Sequence, residues 1–221
     1  MIPKIIHYCW FGNNPKSTFL QDCIDSWKAH CPDYKIIEWN EGNFDVTKIA
    51  YTREAYFAKK YAFVSDYCRL YALNEMGGIY VDVDVRLLKT FNPFLACRSF
   101  LGKESPFMIS TAVIGAEKGS RWIVDFMDTY NNRHFISRTG KELKQTNVIE
   151  LTRFFNRSYP KYKDLINFYD VEWFCAKIYY QEGVYCITDD TVAIHEFMGS
   201  WKLQPFSLIR QIKNMVYRFL H

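Results

Sequence analysis

Several absences narrow the reading at once. No apolar run in the 221 residues reaches the roughly 18–20 that a membrane-spanning helix needs. The opening Met1-Ile-Pro-Lys-Ile-Ile-His has too few apolar residues for a signal peptide and reads as a first strand. The seven cysteines are scattered and include no C-x-x-C pair, which argues against a zinc site or a disulfide frame and for reduced cytosolic thiols. There is no internal repeat and no low-complexity segment. Nor is there a basic stripe along the body. Residues 202–221 hold Lys202, Arg210, Lys213 and Arg218 and no acid, while the other 201 residues carry 24 basic and 24 acidic side chains. Nucleic acid is therefore excluded as a partner of the body. What remains is 49% apolar and 18% aromatic, enough for one packed domain.

The most informative stretch runs from Val64 to Val85. From Val64 to Met76 there is no Gly or Pro, and apolar residues recur at helical spacing. Gly77-Gly78 then supplies the permissive backbone that ends a helix. From Ile79 to Val85 the residues alternate, with Ile79, Val81, Val83 and Val85 on one face and Tyr80, Asp82 and Asp84 on the other. The pattern predicts a single strand, buried because it is rich in Val and Ile, with the two Asp Cα atoms roughly 6.5–7 Å apart. Two carboxylates that close repel, so they need a cation between them or one must keep its proton. Hard oxygen ligands suit Mn²⁺ or Mg²⁺, ions that commonly bridge carboxylates to substrate phosphates. A solvated strand face would show the same D-x-D. Its place at the end of a strand built for the core favours function.

Around this block the chain reads as α/β. Lys4–Tyr8 is a first strand, with Cys9-Trp10-Phe11-Gly12 at its exit, where an open α/β sheet holds nucleotides. Trp10 there suits stacking on a base, or equally the closing of a core. Phe19, Leu20, Cys23, Ile24 and Trp27 mark a helix that stops at Cys31-Pro32, and Tyr34–Trp39 follows as a second strand. Residues 45–60 read as a polar helical stretch. Asp66 and Arg69 share a helix face; they form either a weak surface pair or a device that addresses hydroxyls and phosphate of a ligand. Their position before the D-x-D favours the second. Further strands are expected at Ser99–Lys103 and Met108–Gly115, and a helix capped by Ser120 is expected to run through Tyr130. Asn132–Thr146 is expected to form a mobile loop, with a helix from Asn147 to about Arg157. Apolar runs at Ile166–Tyr169, Val184–Ile187 and Val192–Ile194 follow. The last ends in His195, whose neutral imidazole suits a divalent metal, and Ser200-Trp201 suits contact with a diphosphate. From Leu203 on, apolar residues recur at helical spacing between the basic ones, predicting a basic amphipathic helix able to lie on an anionic membrane.

The N-terminal Ile-Pro-Lys-Ile-Ile-His-Tyr-Cys-Trp-Phe-Gly, the central Ser-Asp-x-x-Arg-x-x-x-Leu-x-x-x-Gly-Gly-Ile-Tyr-x-Asp-x-Asp and the late His-x-x-x-x-Ser-Trp occur in that order. Together they resemble the DXD-containing sugar transferases of glycosyltransferase family 32, and the central block is similar to the catalytic domain of the clostridial glucosylating toxins. The resemblance implies a GT-A fold over residues 1–201, followed by the amphipathic helix at 202–221. It implies a nucleotide-sugar donor, with a UDP-sugar favoured and GDP-mannose an alternative, and Mn²⁺ or Mg²⁺ as cofactor. It also implies transfer with retention to a glycan or lipid-linked saccharide during surface-glycan or capsular-polysaccharide synthesis. By the same resemblance Trp10 stacks on the base with His7 nearby, and Asp66 and Arg69 hold donor-sugar hydroxyls. Asp84 binds the metal directly, Asp82 contacts ribose and reaches the metal through water, and His195, Ser200 and Trp201 contact metal and diphosphate. After Thr139-Gly140, where many relatives continue with Pro, this chain has Lys141, so the acceptor side departs from the pattern.

Two other readings fit parts of the sequence. Ile79-Tyr-Val-Asp-Val-Asp-Val is similar to the opening of haloacid-dehalogenase-type phosphohydrolases, but about 80 residues precede it here and the Asp66/Arg69 helix would then have no role. A non-catalytic nucleotide-sugar binding module would not need all four of Asp66, Arg69, Asp82 and Asp84. The expected location is the cytoplasm, at the inner face of the cytoplasmic membrane if residues 203–221 bind lipid.

Overall fold

In the computed structural model, which describes residues 1–178 and 183–199, the sheet grows outward from the first strand. β1 (Ile5–Cys9) is buried over its last four residues and lies parallel both to β2 (Lys35–Trp39) and to β3 (Gly78–Val81). β3 is antiparallel to β6 (Met108–Ala116), β6 is antiparallel to β5 (Ser99–Ser105), and β5 is parallel to β7 (Asn167–Tyr169). The order β2-β1-β3-β6-β5-β7 makes a six-stranded mixed sheet, with a helical crossover between each parallel pair at its start.

Helices cover both faces. On one side α2 (Ala50–Phe57), α3 (Tyr61–Met76), α4 (Arg121–Asp128) and α5 (Asn147–Tyr162) bury Leu70, Leu73, Trp122 and Phe155 against Tyr80, Leu101 and Ile114. On the other, α1 (Thr18–His30) and α6 (Val171–Phe174) bury Ile24, Trp27 and Phe174 against Ile79, Val81, Phe100 and Val113. β3 is buried on both faces, which is why it reads as nearly continuous apolar sequence. Gly77 ends α3 by donating its N–H to Leu73 O at 2.8 Å, as the diglycine predicts.

The expected single strand over Ile79–Val85 is corrected. β3 ends at Val81, and Asp82-Val83-Asp84 forms a turn closed by Val85 N–H to Asp82 O at 3.0 Å. The chain then starts β4 (Val85–Leu87), which leaves the main sheet and pairs antiparallel with β8 (Ala193–His195). The turn is three residues long, so it keeps the parity of the alternation. Val85 is as buried as Val81, and the two strands read as one.

Smaller expectations shift too. The polar helix is confined to α2. α4 stops at Asp128, and Ser120 makes no side-chain cap; its hydroxyl instead lies 3.3 Å from that of Ser99. The helix after residue 146 extends to Tyr162. The 132–146 segment, expected to form a mobile loop, is tethered through Glu54, which accepts the N–H groups of Phe135 and Ile136 at 2.9 Å each. The amphipathic helix expected at 202–221 lies outside the described residues.

Candidate active site

The C-terminal ends of β1 and β3 lie side by side because the two strands are parallel neighbours. Trp10 and Asp82, the residues next after each strand, are therefore brought to one edge of the sheet. α3 packs across the same edge and supplies Asp66 and Arg69, which are 8% and 5% exposed. This excludes the surface-pair reading.

Arg69 ties the edge together. Its Nε donates to Ser65 O at 3.2 Å, its Nη1 to Thr111 O at 2.7 Å and its Nη2 to Asp66 Oδ1 at 3.1 Å. Nη1 also lies 3.4 Å from Asp82 Oδ1, and the guanidinium sits 4.7 Å from the centre of the Tyr80 ring. Tyr80 donates its hydroxyl to the same Asp82 oxygen at 2.8 Å. One guanidinium thus joins helix, strand and D-x-D turn, using its planar fork of donors. Asn147, at the start of α5, donates to the Asp66 main-chain oxygen at 3.3 Å and accepts from Tyr130.

The turn aims the second carboxylate elsewhere. Asp84 Oδ1 lies 3.4 Å from His195 Nε2, and Asp84 Oδ2 accepts the Met198 N–H at 2.8 Å. His195 reaches Asp84 because β8 pairs with β4 in the register His195↔Val85. One donor atom from each of Asp82, Asp84 and His195 lies within 4.8 Å of the others. Two carboxylates and an imidazole at that spacing fit Mn²⁺ or Mg²⁺.

The two carboxylates are electrically unequal. Burial pushes Asp82 up, with Arg69 opposing. Burial also acts to raise Asp84, but the charge and hydrogen bond of His195 and the Met198 N–H outweigh it and hold the carboxyl below its ordinary value. The partner shift agrees: burial acts to lower His195, and Asp84 outweighs it and carries the imidazole well above its usual range. Burial lifts Asp66 to about 7 against the pull of Arg69. In the chain alone, His195 and Asp84 thus favour each other's charged form. A divalent cation would favour ionised Asp84 in the same way on displacing the imidazole proton.

Of the residues singled out from sequence, Asp66, Arg69, Asp82, Asp84 and His195 meet in one site, with Trp10 on the same sheet edge. Trp10 is half-buried, donates its indole N–H to Asn14 O at 2.7 Å and carries Lys16 Nζ 5.3 Å from its ring centre. His7 is not brought to the site. It is fully buried, with Nδ1 accepting from the Trp39 indole at 3.1 Å and Nε2 donating to Gly77 O at 2.8 Å, so neither ring nitrogen is offered to a ligand. Ser200 and Trp201 lie outside the described residues. Sequence reasoning passed over Tyr80, although it precedes Asp82 by two in the alternation. It had no signal for Asn147 or Met198, which arrive from distant positions, the second through a backbone N–H.

Residues 17–101 match the family described as glycosyltransferase sugar-binding region containing DXD motif. Inositol phosphoceramide mannosyltransferase 3 of Schizosaccharomyces pombe is 32% identical over 130 residues, 56% of this chain and 35% of the relative. Mannosyl phosphorylinositol ceramide synthase SUR1 of Saccharomyces cerevisiae is 34% identical over 126 residues, 52% of this chain and 31% of the relative. The aligned part is thus about a third of the length of these curated relatives. In structure, the PaToxG glycosyltransferase superposes with a TM-score of 0.55 at 24% identity, covering 72% of this chain and 70% of its own. A glycosyltransferase involved in the glycosylation of the major capsid of PBCV-1 superposes with a TM-score of 0.54 at 11% identity, covering 98% of this chain and all of its own. Both likenesses show the fold, a GT-A type mixed α/β sheet flanked by helices. Over residues 17–101 the resemblance read from the motifs is borne out: that stretch matches the sugar-binding region of the DXD-containing glycosyltransferases.

Proposed function

We propose that the chain transfers a sugar from a nucleotide-sugar donor to a glycan or lipid-linked saccharide, with a divalent cation at Asp82, Asp84 and His195 and with retention at the anomeric carbon. The observation that carries this reading is the junction of two devices in one site: three convergent metal donors and the buried Asp66–Arg69 pair, joined where Arg69 meets Asp82. When bound, Mn²⁺ or Mg²⁺ supplies positive charge to the diphosphate as it leaves. The residues do the rest. Asp84, whose surroundings favour the ionised form, would hold the cation directly. Asp82, pinned by Tyr80 and Arg69, would contact ribose and reach the cation through water. Asp66 and Arg69 grip hydroxyls of the donor sugar and hold it as charge develops at the anomeric carbon. Trp10 stacks on the base.

The acceptor hydroxyl attacks on the face that the phosphate leaves. The bond from the anomeric carbon to the phosphate oxygen breaks, a bond to the acceptor oxygen forms, and the acceptor proton passes to the departing phosphate. A phosphohydrolase would give the buried Asp66–Arg69 pair no task, and the family match supports transfer. One curated relative is a mannosyltransferase and the other a mannosyl phosphorylinositol ceramide synthase, which puts GDP-mannose beside UDP-sugars as a donor. Acceptor identity, work at the inner membrane face and lipid contact through residues 203–221 belong to the same proposal. No helix among the described residues is long and apolar enough to cross a membrane.

The test is a panel of UDP- and GDP-sugars incubated with Mn²⁺ and no acceptor. Slow metal-dependent release of sugar with its anomeric configuration kept is expected from at least one donor. Inversion of the product, or a covalent sugar adduct on any side chain, would overturn the direct same-face mechanism.

A further inference from the structure

Phe197 adopts a left-handed backbone with φ of 54°. For a residue with a bulky side chain this costs about 1–2 kcal/mol, and such strain persists only where the surroundings enforce it. The turn made at Phe197 has two results. It carries the Met198 N–H back onto Asp84 Oδ2 at 2.8 Å, and it lays the Phe197 ring on the His195 imidazole, with ring centres 4.0 Å apart. The strained residue therefore touches one member of the metal cluster and steers a hydrogen bond onto another.

The residue before it is fixed at every polar group. The Glu196 N–H donates to Asp84 O at 3.0 Å. Its main-chain oxygen accepts from Lys177 Nζ at 3.0 Å, and its carboxylate accepts from the same ammonium at 2.7 Å. Arg86 Nε stands 3.9 Å from the other carboxylate oxygen, and the Tyr185 hydroxyl is 3.5 Å from the first. Lys177 thus grips both ends of one residue, setting the plane of the peptide that leads into Phe197. The Glu196 side chain is only 9% exposed. A buried ion pair is a poor source of stability compared with apolar packing, so its use here is better explained by orientation.

We propose that Glu196 and Lys177 are positioning residues for the Asp82–Asp84–His195 cluster, their ion pair holding the strained Phe197 turn and through it Asp84 and His195. The proposal rests on the metal reading above. Partners that orient metal ligands typically change affinity by about 10–100-fold when removed. Mn²⁺ binding to the full chain, followed by electron paramagnetic resonance of the free ion, should therefore weaken at least about tenfold in Glu196→Gln and in Lys177→Met. Lys177→Arg, which keeps the charge, should recover most of the affinity. Thermal unfolding of the same samples separates this role from a structural one, which would lower the midpoint and leave the Mn²⁺ Kd unchanged. If Glu196→Gln does not fold, the Lys177 pair decides alone. Unaltered Mn²⁺ affinity in the folded variants would overturn the proposal. Failure of the unaltered chain to bind Mn²⁺ would overturn the cluster reading and the proposal with it.

Discussion

At the scale of single residues, two side chains on adjacent strands show how differently burial is used. Tyr80 is almost fully buried, yet its hydroxyl reaches Asp82 at 2.8 Å. Tyr80→Phe keeps the ring under Arg69 and deletes only that donor, so stability should fall by about 1 kcal/mol while donor turnover drops about tenfold. A variant with unchanged metal-dependent donor hydrolysis would remove Tyr80 from the site. His7, which the family resemblance sets near the nucleotide base, is buried in the core with both ring nitrogens bonded. Burial lowers its pKa to about 4. The unfolded chain takes up that proton near pH 6.5, whereas the folded chain resists until about 4, so the His7 contribution is intact above 6.5 and is lost as pH falls towards 4. Asp66, lifted to about 7, works in the opposite direction. The readout is therefore a difference. Between pH 7.5 and 5 the stability advantage of the unaltered chain over His7→Asn should shrink by about 2 kcal/mol in urea unfolding. A pH-independent difference would contradict the assignment.

At the scale of elements, the helix-diglycine-strand unit places the site. Gly78 has φ of 110°, and a Cβ there would stand 2.7 Å from Ile5 O and 3.0 Å from His7 Nε2. Gly119 also has positive φ, but a Cβ would meet nothing within 4 Å. Gly78→Ala should thus cost about 3 kcal/mol or more, against about 1 for Gly119→Ala, when unfolding is followed in urea. Equal costs would show that the close approach of β1 and β3 is not what requires Gly78. This unit was legible in the sequence because its signals are local: helical spacing in α3, a paired glycine stop and alternating Val and Ile. The D-x-D was legible as a pair of acids but not as a turn, since a three-residue turn preserves the parity of a strand. β4 and β8 were harder to see. Each is three residues long, and neither sequence says that it will pair with the other more than 100 residues away.

At the scale of the whole molecule, the α/β class followed from strands alternating with helices. The order β2-β1-β3-β6-β5-β7 did not, because strand neighbours are chosen by packing across the chain. The site shows the same division. Asp66 with Arg69 and Asp82 with Asp84 came from local spacing, and His195 joined them only through its motif. Asn147, Glu196 and the Met198 N–H came from the fold alone. The proposed function stands on Asp82, Asp84 and His195 holding a divalent cation on which donor turnover depends. It is tested most directly by titrating Mn²⁺ into the unaltered chain and into Asp84→Asn, while measuring nucleotide-sugar hydrolysis in both. The unaltered chain should bind Mn²⁺ and hydrolyse donor only when the metal is present, and folded Asp84→Asn should lose both properties. Full Mn²⁺-dependent hydrolysis by Asp84→Asn would contradict it.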